Sequence, residues 1–91
     1  MELKWTSKAL SDLARLYDFL VLASKPAAAR TVQSLTQAPV ILLTHPRMGE
    51  QLFQFEPREV RRIFAGEYEI RYELNGQTIY LLRLWHTREN R

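Results

Sequence analysis

GEYEIRYELNGQTIYLLRLW, residues 66–85, is the stretch that decides the fold. In its first half apolar residues alternate with charged ones, and the apolar positions are Tyr68, Ile70, Tyr72 and Leu74. This alternation predicts a strand with one buried face. The Asn75-Gly76 pair that follows is the strongest short signal for a β-hairpin. The return segment, Ile79–Trp85, is apolar at consecutive positions, which is typical of a central strand covered on both faces.

A two-residue turn at Asn75-Gly76 defines a register for this hairpin. The cross-strand pairs then expected are Tyr72 with Ile79, Ile70 with Leu81, and Tyr68 with Arg83. The opposite face would carry Arg71, Tyr80 and Leu82. A β-bulge would change the register, and the sequence leaves that open. The simplest neighbour for the second edge of the return strand is an N-terminal strand around Leu3 and Trp5.

The N-terminal half predicts two helices. Thr6 or Ser7 offers an N-cap, and apolar residues follow at helical spacing to about residue 23, with Asp12 on the polar side. Pro26 suits the first turn of a second helix, and Pro39 should kink or end that helix near residue 38. The link between the two helices is so short that they should pack antiparallel, as a helical hairpin. Residues 45–49 read as a loop, and residues 52–55 and 60–64 are further strand candidates.

The element order β-α-α-β-β-β predicts one α+β domain over residues 1–91. Its two layers would be an N-terminal helical hairpin and a mainly antiparallel four-stranded sheet. The other sheet face would be open and lined by Arg, Glu and Tyr. A chain of 91 residues has no room for a second core. The N-terminus lacks the pattern of a signal peptide, and the apolar runs are too short to span a bilayer, so we expect a soluble, cytoplasmic protein with no membrane contact.

Arginine dominates the positive charge. Ten of the 13 basic residues are arginine, eight of them from Arg47 onward, and the net charge is +3. The planar guanidinium matches phosphate and carboxylate, so this half of the chain is a candidate contact face for a polyanion or an acidic partner. Seven glutamates from Glu50 onward nearly balance these arginines, and a solvated surface of ion pairs is the alternative. Without cysteine, and with no histidine pair at ligand spacing, neither a metal nor a cofactor is expected.

Several short motifs in this order and spacing resemble the RelE/ParE toxin superfamily, in its ParE-like branch. The motifs are the strand end at Trp5 with Ser7-Lys8-Ala9, then Ala27–Arg30, His45–Gly49, Val60–Ile63, Gly66–Tyr72 and Leu82–Arg88. The resemblance implies the toxin of a type II toxin–antitoxin system. Two activities are associated with this fold, so the fold alone does not decide between them. RelE-like members cut messenger RNA on the ribosome, and ParE-like members resemble poisons of DNA gyrase.

Glu69 favours the gyrase-poison branch. The ribonuclease branch usually has arginine directly after the Gly-x-Tyr tyrosine, and a carboxylate at this position would repel a scissile phosphate. That branch also uses a tyrosine near the C-terminus, whereas Thr87 follows His86 and no tyrosine comes later. We therefore expect a gyrase poison without its own catalysis. The alternative is a ribosome-dependent mRNA interferase in which Arg62 binds phosphate, Glu69 is the base and His86 the acid.

Two sets of contact residues follow from this interpretation. The candidate target-binding set combines an aromatic anchor with arginine in an exposed basic tail, unless that tail is simply a frayed terminus. Its members are Arg83, Trp85, His86, Arg88 and Arg91. The resemblance also implies an acidic antitoxin that folds on binding. The candidates for binding it are Arg58, Arg61, Arg62 and Arg71.

Overall fold

A computed structural model describes residues 1–89 and shows two helices and five strands. In chain order they are β1 Glu2–Trp5, α1 Ser7–Val21, α2 Lys25–Gln37, β2 Glu50–Gln51, β3 Glu59–Ala65, β4 Tyr68–Asn75 and β5 Thr78–His86. The predicted α+β class is confirmed, and the sheet has one short strand more than expected. None of the helices in this part of the chain is long and apolar enough to cross a membrane.

The strand order in the sheet is β1-β5-β4-β3-β2. Strand β1 is parallel to β5, and the other neighbours are antiparallel. The predicted pairing of the N-terminal strand with the return strand is therefore confirmed. The prediction of a strand over residues 52–55 is wrong. The Leu52 N–H still donates to the Val60 carbonyl at 2.8 Å, but Phe53–Phe55 then forms a 3-10 turn and leaves the ladder.

The hairpin register differs from the predicted one, because Asn75 pairs with Thr78 and the two turn residues are Gly76 and Gln77. Gly76 has φ +63, a conformation that glycine adopts without steric cost. Near the turn the pairs are Leu74 with Ile79 and Tyr72 with Leu81. Leu82 is then an extra residue, because the next pair is Arg71 with Arg83. This bulge reverses the faces of all later residues of β5, so Arg83 and Trp85 lie on the open face.

The helical hairpin covers the other face. Thr6 caps α1 by accepting a hydrogen bond from the Ala9 N–H at 3.2 Å, and Ser24 caps α2 in the same way through Ala27. Helix α2 ends at Gln37, and Pro39 lies in a 3-10 turn, Ala38–Leu43, so Pro39 ends the α-helix. The helices supply buried leucines to a core shared with the sheet. That core includes Leu16, Leu35, Leu42, Ile70, Tyr72, Ile79, Leu81 and Leu84.

Candidate functional site

Three arginines form a row across the open face of the sheet. Arg62 on β3 is directly opposite Arg71 on β4, and Arg71 is directly opposite Arg83 on β5. Directly opposite Cβ atoms in a sheet lie about 5 Å apart, so like charges in such a row require counter-ions. The structure places a carboxylate beside each of the three guanidinium groups.

Glu69 supplies the carboxylate for two of these arginines. Only 6% of the residue is exposed. Its side chain accepts hydrogen bonds from Arg62 Nη1 at 3.4 Å and from Arg71 Nη2 at 3.1 Å. Arg62 also donates through Nε to Glu50 at 2.9 Å. A phosphate approaching this face would have to displace a buried carboxylate from both guanidinium groups.

Trp85 was expected to be an exposed aromatic anchor, and this prediction is wrong because the residue is only 8% exposed. The bulge directs Trp85 to the open face, where the Arg71 guanidinium lies 4.7 Å from its ring centroid. The ring of Phe55, from the 3-10 turn after β2, lies 5.3 Å from the same guanidinium. Arg71 is thus held by a carboxylate and two aromatic rings.

Asp12 pairs with the third arginine and closes the edge of β5. Strand β1 ends at Trp5, opposite Leu81, so the rest of this edge has no neighbouring strand. The Asp12 carboxylate accepts hydrogen bonds from the Leu84 N–H at 2.9 Å and from Arg83 Nε at 2.8 Å. Asp12 was expected on the polar side of α1, yet it is buried. The Arg83 guanidinium is therefore occupied by a contact within the fold.

The pKa of Asp12 reflects these contacts. Burial alone raises the pKa of this carboxyl group. The hydrogen bonds from Arg83 and from the Leu84 N–H, together with the charges of Arg83 and Arg15, outweigh burial and hold the pKa below its ordinary value.

The remaining candidates for antitoxin binding are also paired within the fold. Arg58 donates to Glu73 through Nε at 3.2 Å and through Nη2 at 2.7 Å. Arg61 is mostly buried, and it donates to Glu59 at 3.0 Å and to the Gly49 carbonyl at 2.7 Å. Arg61 therefore serves mainly to hold the 45–49 loop rather than to face a partner.

A buried tyrosine, Tyr72, lies directly opposite Arg61 on the same face of the sheet and fixes the same loop. The Tyr72 hydroxyl donates to the Pro46 carbonyl at 2.8 Å and accepts from the Gly49 N–H at 3.1 Å. The space at Gly49 is so tight that a Cβ there would lie 2.6 Å from Tyr72 Oη and 2.7 Å from the Arg62 carbonyl oxygen. The motif His45–Gly49 thus packs against the sheet through its backbone.

The end of β5 leads to a tail on the helix side of the sheet. The His86 ring packs edge-on against Tyr68, with centroids 5.1 Å apart, and its Nδ1 accepts a hydrogen bond from the Arg88 N–H at 3.0 Å. The Thr87 N–H donates to the Glu67 carbonyl at 2.8 Å. These contacts, and an ion pair between Glu89 and Arg15 of α1, anchor the tail through residue 89. Arg91 lies outside the described residues.

Among the cationic tail residues up to residue 89, Arg88 is the most available to a partner. Its side chain is 82% exposed, and its nearest acidic neighbour, Glu67, is 3.8 Å away. A single exposed ion pair of this length contributes little stability, so the guanidinium can exchange this contact for one with another molecule.

The sheet separates the three residues named for ribonuclease chemistry. Glu69 pairs with Trp85 across the strands and contacts Arg62 and Arg71 on the open face. His86 follows Trp85 in the strand and packs against Tyr68 on the helix side. Adjacent strand residues point to opposite faces. Arg62 and Glu69 are therefore on one side of the sheet and His86 is on the other.

A small sheet covered by one helical hairpin, with a row of paired arginines on its open face, is the architecture expected from the resemblance to RelE/ParE-like toxins. A family model described as "ParE toxin of type II toxin-antitoxin system, parDE" matches residues 3–91. The chain belongs to this ParE toxin family, and its partner is accordingly an antitoxin.

A solved structure supports the same assignment. The chain is similar to a chain of the chromosomal ParDE toxin–antitoxin system from P. aeruginosa, with a TM-score of 0.80 and 28% sequence identity. The match covers 94% of this chain and 95% of the other. No curated protein sequence matches the chain significantly.

Proposed function

We propose that this ParE-family toxin poisons DNA gyrase through a contact surface, without a reaction centre of its own, and that its antitoxin prevents this. The observation that carries the proposal is the position of Glu69, whose buried carboxylate occupies two arginines of the open face. The location of His86 on the other side of the sheet supports it independently.

The chemistry of RNA cleavage explains why these two observations matter. Attack by a 2′-hydroxyl needs a base, an acid for the leaving oxygen, and cations on the same phosphate. Arg62 and Glu69 are bound to each other, so the proposed phosphate clamp and base neutralise one another. His86 would have to reach the same phosphate through the sheet. A ribonuclease at this site would require rearranged strands.

The tail is our candidate for the gyrase contact, with Arg88 and His86 as its described members. Trp85 and Arg83 support this tail from within the fold, because Trp85 is buried and Arg83 is bound to Asp12. Arginine is one of the residue types that contribute most to binding energy at interfaces. The anchored backbone presents Arg88 in one place, which lowers the entropy cost of binding.

Reversal of charge at Arg88 should weaken the poisoning of gyrase. We expect Arg88→Glu to raise the toxin concentration needed for half-maximal gyrase-dependent DNA cleavage by about ten-fold, because an interface arginine is lost and a repulsive charge is added. The measurement is linearisation of supercoiled plasmid by gyrase over a toxin titration. Lys4→Glu is the matched control, since Lys4 is an exposed cation on β1 at the opposite end of β5. Equal effects of the two changes would contradict a specific contact by the tail.

Removal of the buried charge at Glu69 should release the open-face arginines. We expect Glu69→Gln to increase affinity for a single-stranded RNA oligonucleotide, and the gain to disappear as salt rises, because phosphate affinity depends on counterion release. Fluorescence anisotropy of the oligonucleotide at several salt concentrations measures this affinity. Glu56→Gln, which removes an exposed glutamate that forms no ion pair among residues 1–89, should produce no comparable gain. An unchanged affinity in Glu69→Gln would show that this carboxylate does not exclude phosphate.

A further inference from the structure

The outer edge of β1 presents unpaired backbone groups. Strand β1 is the last strand of the sheet, and among residues 1–89 no other strand pairs with its second edge. The Glu2 N–H donates toward the β5 side, to the Gln77 carbonyl at 2.9 Å. Successive residues of a strand direct their N–H and C=O groups to opposite sides in the plane of the sheet, so those of Leu3 and Trp5 point away from β5. Such an edge is a template for a further strand.

The side chains of β1 are divided between the two faces of the sheet. Leu3 and Trp5 pack against the core on the helix side and remain partly exposed. Glu2 and Lys4 therefore lie on the open face, where both are exposed and their charged groups are 4.0 Å apart. Opposite charges thus alternate along one face of an unpaired edge strand.

An exposed apolar patch lies beside this strand. The 3-10 turn Ala38–Leu43 lies against β1, and Pro39 and Leu42 are buried beneath it. The side chains of Val40 and Ile41 point outward, and these residues are 50% and 48% exposed. Neighbouring apolar side chains on an anchored turn are typical of a surface that contacts another protein.

A second copy of β1 fits this edge in one register. In an antiparallel pair around a two-fold axis, residues with outward backbone groups must lie opposite each other. With Leu3 opposite Leu3 of the other copy, Glu2 lies opposite Lys4, and symmetry forms this pair twice. A shift by two residues in either direction would place Glu2 opposite Glu2 or Lys4 opposite Lys4. Like charges directly opposite each other are destabilising, so the strand is complementary to itself in the first register alone.

We propose that the toxin forms a symmetric dimer through β1, with Leu3 on the two-fold axis and the 3-10 turns of both copies at the helix side of the interface. The two five-stranded sheets then join into one continuous sheet. The self-complementary charges of Glu2 and Lys4 favour a second copy over an unrelated strand. Self-association goes beyond the contact with gyrase and is independent of it.

The dimer leaves both C-terminal tails uncovered. Leu3 lies beside Ile79, near the start of β5, and His86 is at the other end of the same strand. At about 3.3 Å per residue, the tail is roughly 20 Å from the two-fold axis along the strand. The two copies run in opposite directions, so their tails lie at opposite ends of the joined sheet. Variants that keep the toxin monomeric should therefore retain its activity on gyrase.

The test is the dimer dissociation constant of the purified full-length toxin, measured by sedimentation equilibrium over a concentration series. We expect Glu2→Lys and Lys4→Glu each to raise the Kd at least about ten-fold, because each places like charges opposite each other at two symmetric positions. The double variant Glu2→Lys/Lys4→Glu restores both unlike pairs and should return to within about three-fold of the unmodified toxin. Recovery in the double variant distinguishes strand pairing from a general effect of net charge.

The apolar turn has a separate variant. Ile41→Asp should also raise the dimer Kd at least about ten-fold, because it places a charge in the interface of each copy. Leu22→Asp is the matched control, at a leucine that follows α1 and is 84% exposed. It should stay within about two-fold of the unmodified toxin, since α1 leads away from β1 toward the tail.

Hydrogen exchange tests the backbone pairing directly. The N–H groups of Leu3 and Trp5 should become protected as the toxin concentration rises through the dimer Kd. The Thr6 N–H, which donates to the Leu81 carbonyl at 3.2 Å within each copy, should be protected at every concentration. It is the internal control for this measurement.

A dimer Kd above about 1 mM would overturn the inference. The same holds if the single variants and the double variant have equal Kd values, or if Ile41→Asp behaves like Leu22→Asp. Protection of Leu3 and Trp5 only when antitoxin is added would mean that an antitoxin strand occupies this edge, and would also count against self-association. None of these measurements contains gyrase, so their outcome and that of the gyrase assay are decided separately.

Discussion

Replacement of Asp12 by alanine should lower the free energy of unfolding by about 3 kcal/mol, a large share of the stability of so small a domain. The change removes the acceptor of the Leu84 N–H and the partner of the Arg83 guanidinium at the same time. Both donors lie at the strand edge that β1 leaves uncovered, and a buried donor without an acceptor costs free energy. Urea denaturation at pH 7 measures the loss.

The stabilisation that Asp12 provides should decrease as the pH falls. Its pKa is lower in the folded protein than in the unfolded chain, so the charged carboxylate contributes its full stabilisation at pH values above about 4. That contribution is lost as the pH falls through the lowered pKa. The difference in stability between the unmodified protein and Asp12→Asn should therefore be larger at pH 7 than at pH 3.

Asp18→Asn is the control for this prediction, because Asp18 is an exposed aspartate on the same helix. We expect it to change the free energy of unfolding by less than about 0.5 kcal/mol at either pH. If Asp12→Asn behaved like Asp18→Asn, the carboxylate of Asp12 would not be the group that closes the edge of β5.

Gly49→Ala should destabilise the protein by about 2–3 kcal/mol. The added Cβ would lie within 3 Å of the Tyr72 hydroxyl and of the Arg62 carbonyl oxygen, and a backbone atom of a paired strand cannot easily move. Displacement of Tyr72 would also weaken its hydrogen bonds to Pro46 and Gly49. Met48→Ala, at the exposed neighbouring position, should have a much smaller effect on the midpoint of thermal unfolding.

A double-mutant cycle with Tyr72→Phe tests the cause of this effect. Tyr72→Phe alone should be destabilising, because it leaves the Gly49 N–H without its acceptor. In Gly49→Ala/Tyr72→Phe the closest clash is absent, so the combined loss should be smaller than the sum of the two single losses. Strictly additive losses would mean that the tyrosine hydroxyl does not limit the space at Gly49.

The elements of the fold could be predicted because their signals are local. The cap Thr6, the first-turn Pro26 of α2, the helix-ending Pro39 and the hairpin around Gly76 act within a few residues, and the structure contains them. The register of the hairpin could not be predicted in the same way. The bulge at Leu82 falls in a run of apolar residues that has no alternation, so no periodic signal marks the change of face.

The positions of the side chains in the candidate site depend on the bulge at Leu82. The significance of Glu69 could be inferred from its position in the chain, but its confinement between Arg62 and Arg71 follows from the pairing of β3 with β4. The burial of Trp85 and the separation of His86 from Glu69 follow from the bulge. Asp12 was assigned to the polar side of its helix because nothing in the local pattern reveals that β1 ends too early to cover β5.

Purified toxin added in parallel to gyrase with supercoiled DNA and to ribosomes carrying messenger RNA tests our account most directly. We predict that gyrase-dependent linear DNA accumulates with toxin concentration while the ribosome-bound transcripts remain intact. Transcripts cut on the ribosome, together with undisturbed gyrase–DNA complexes, would contradict the claim that this toxin acts by contact with gyrase.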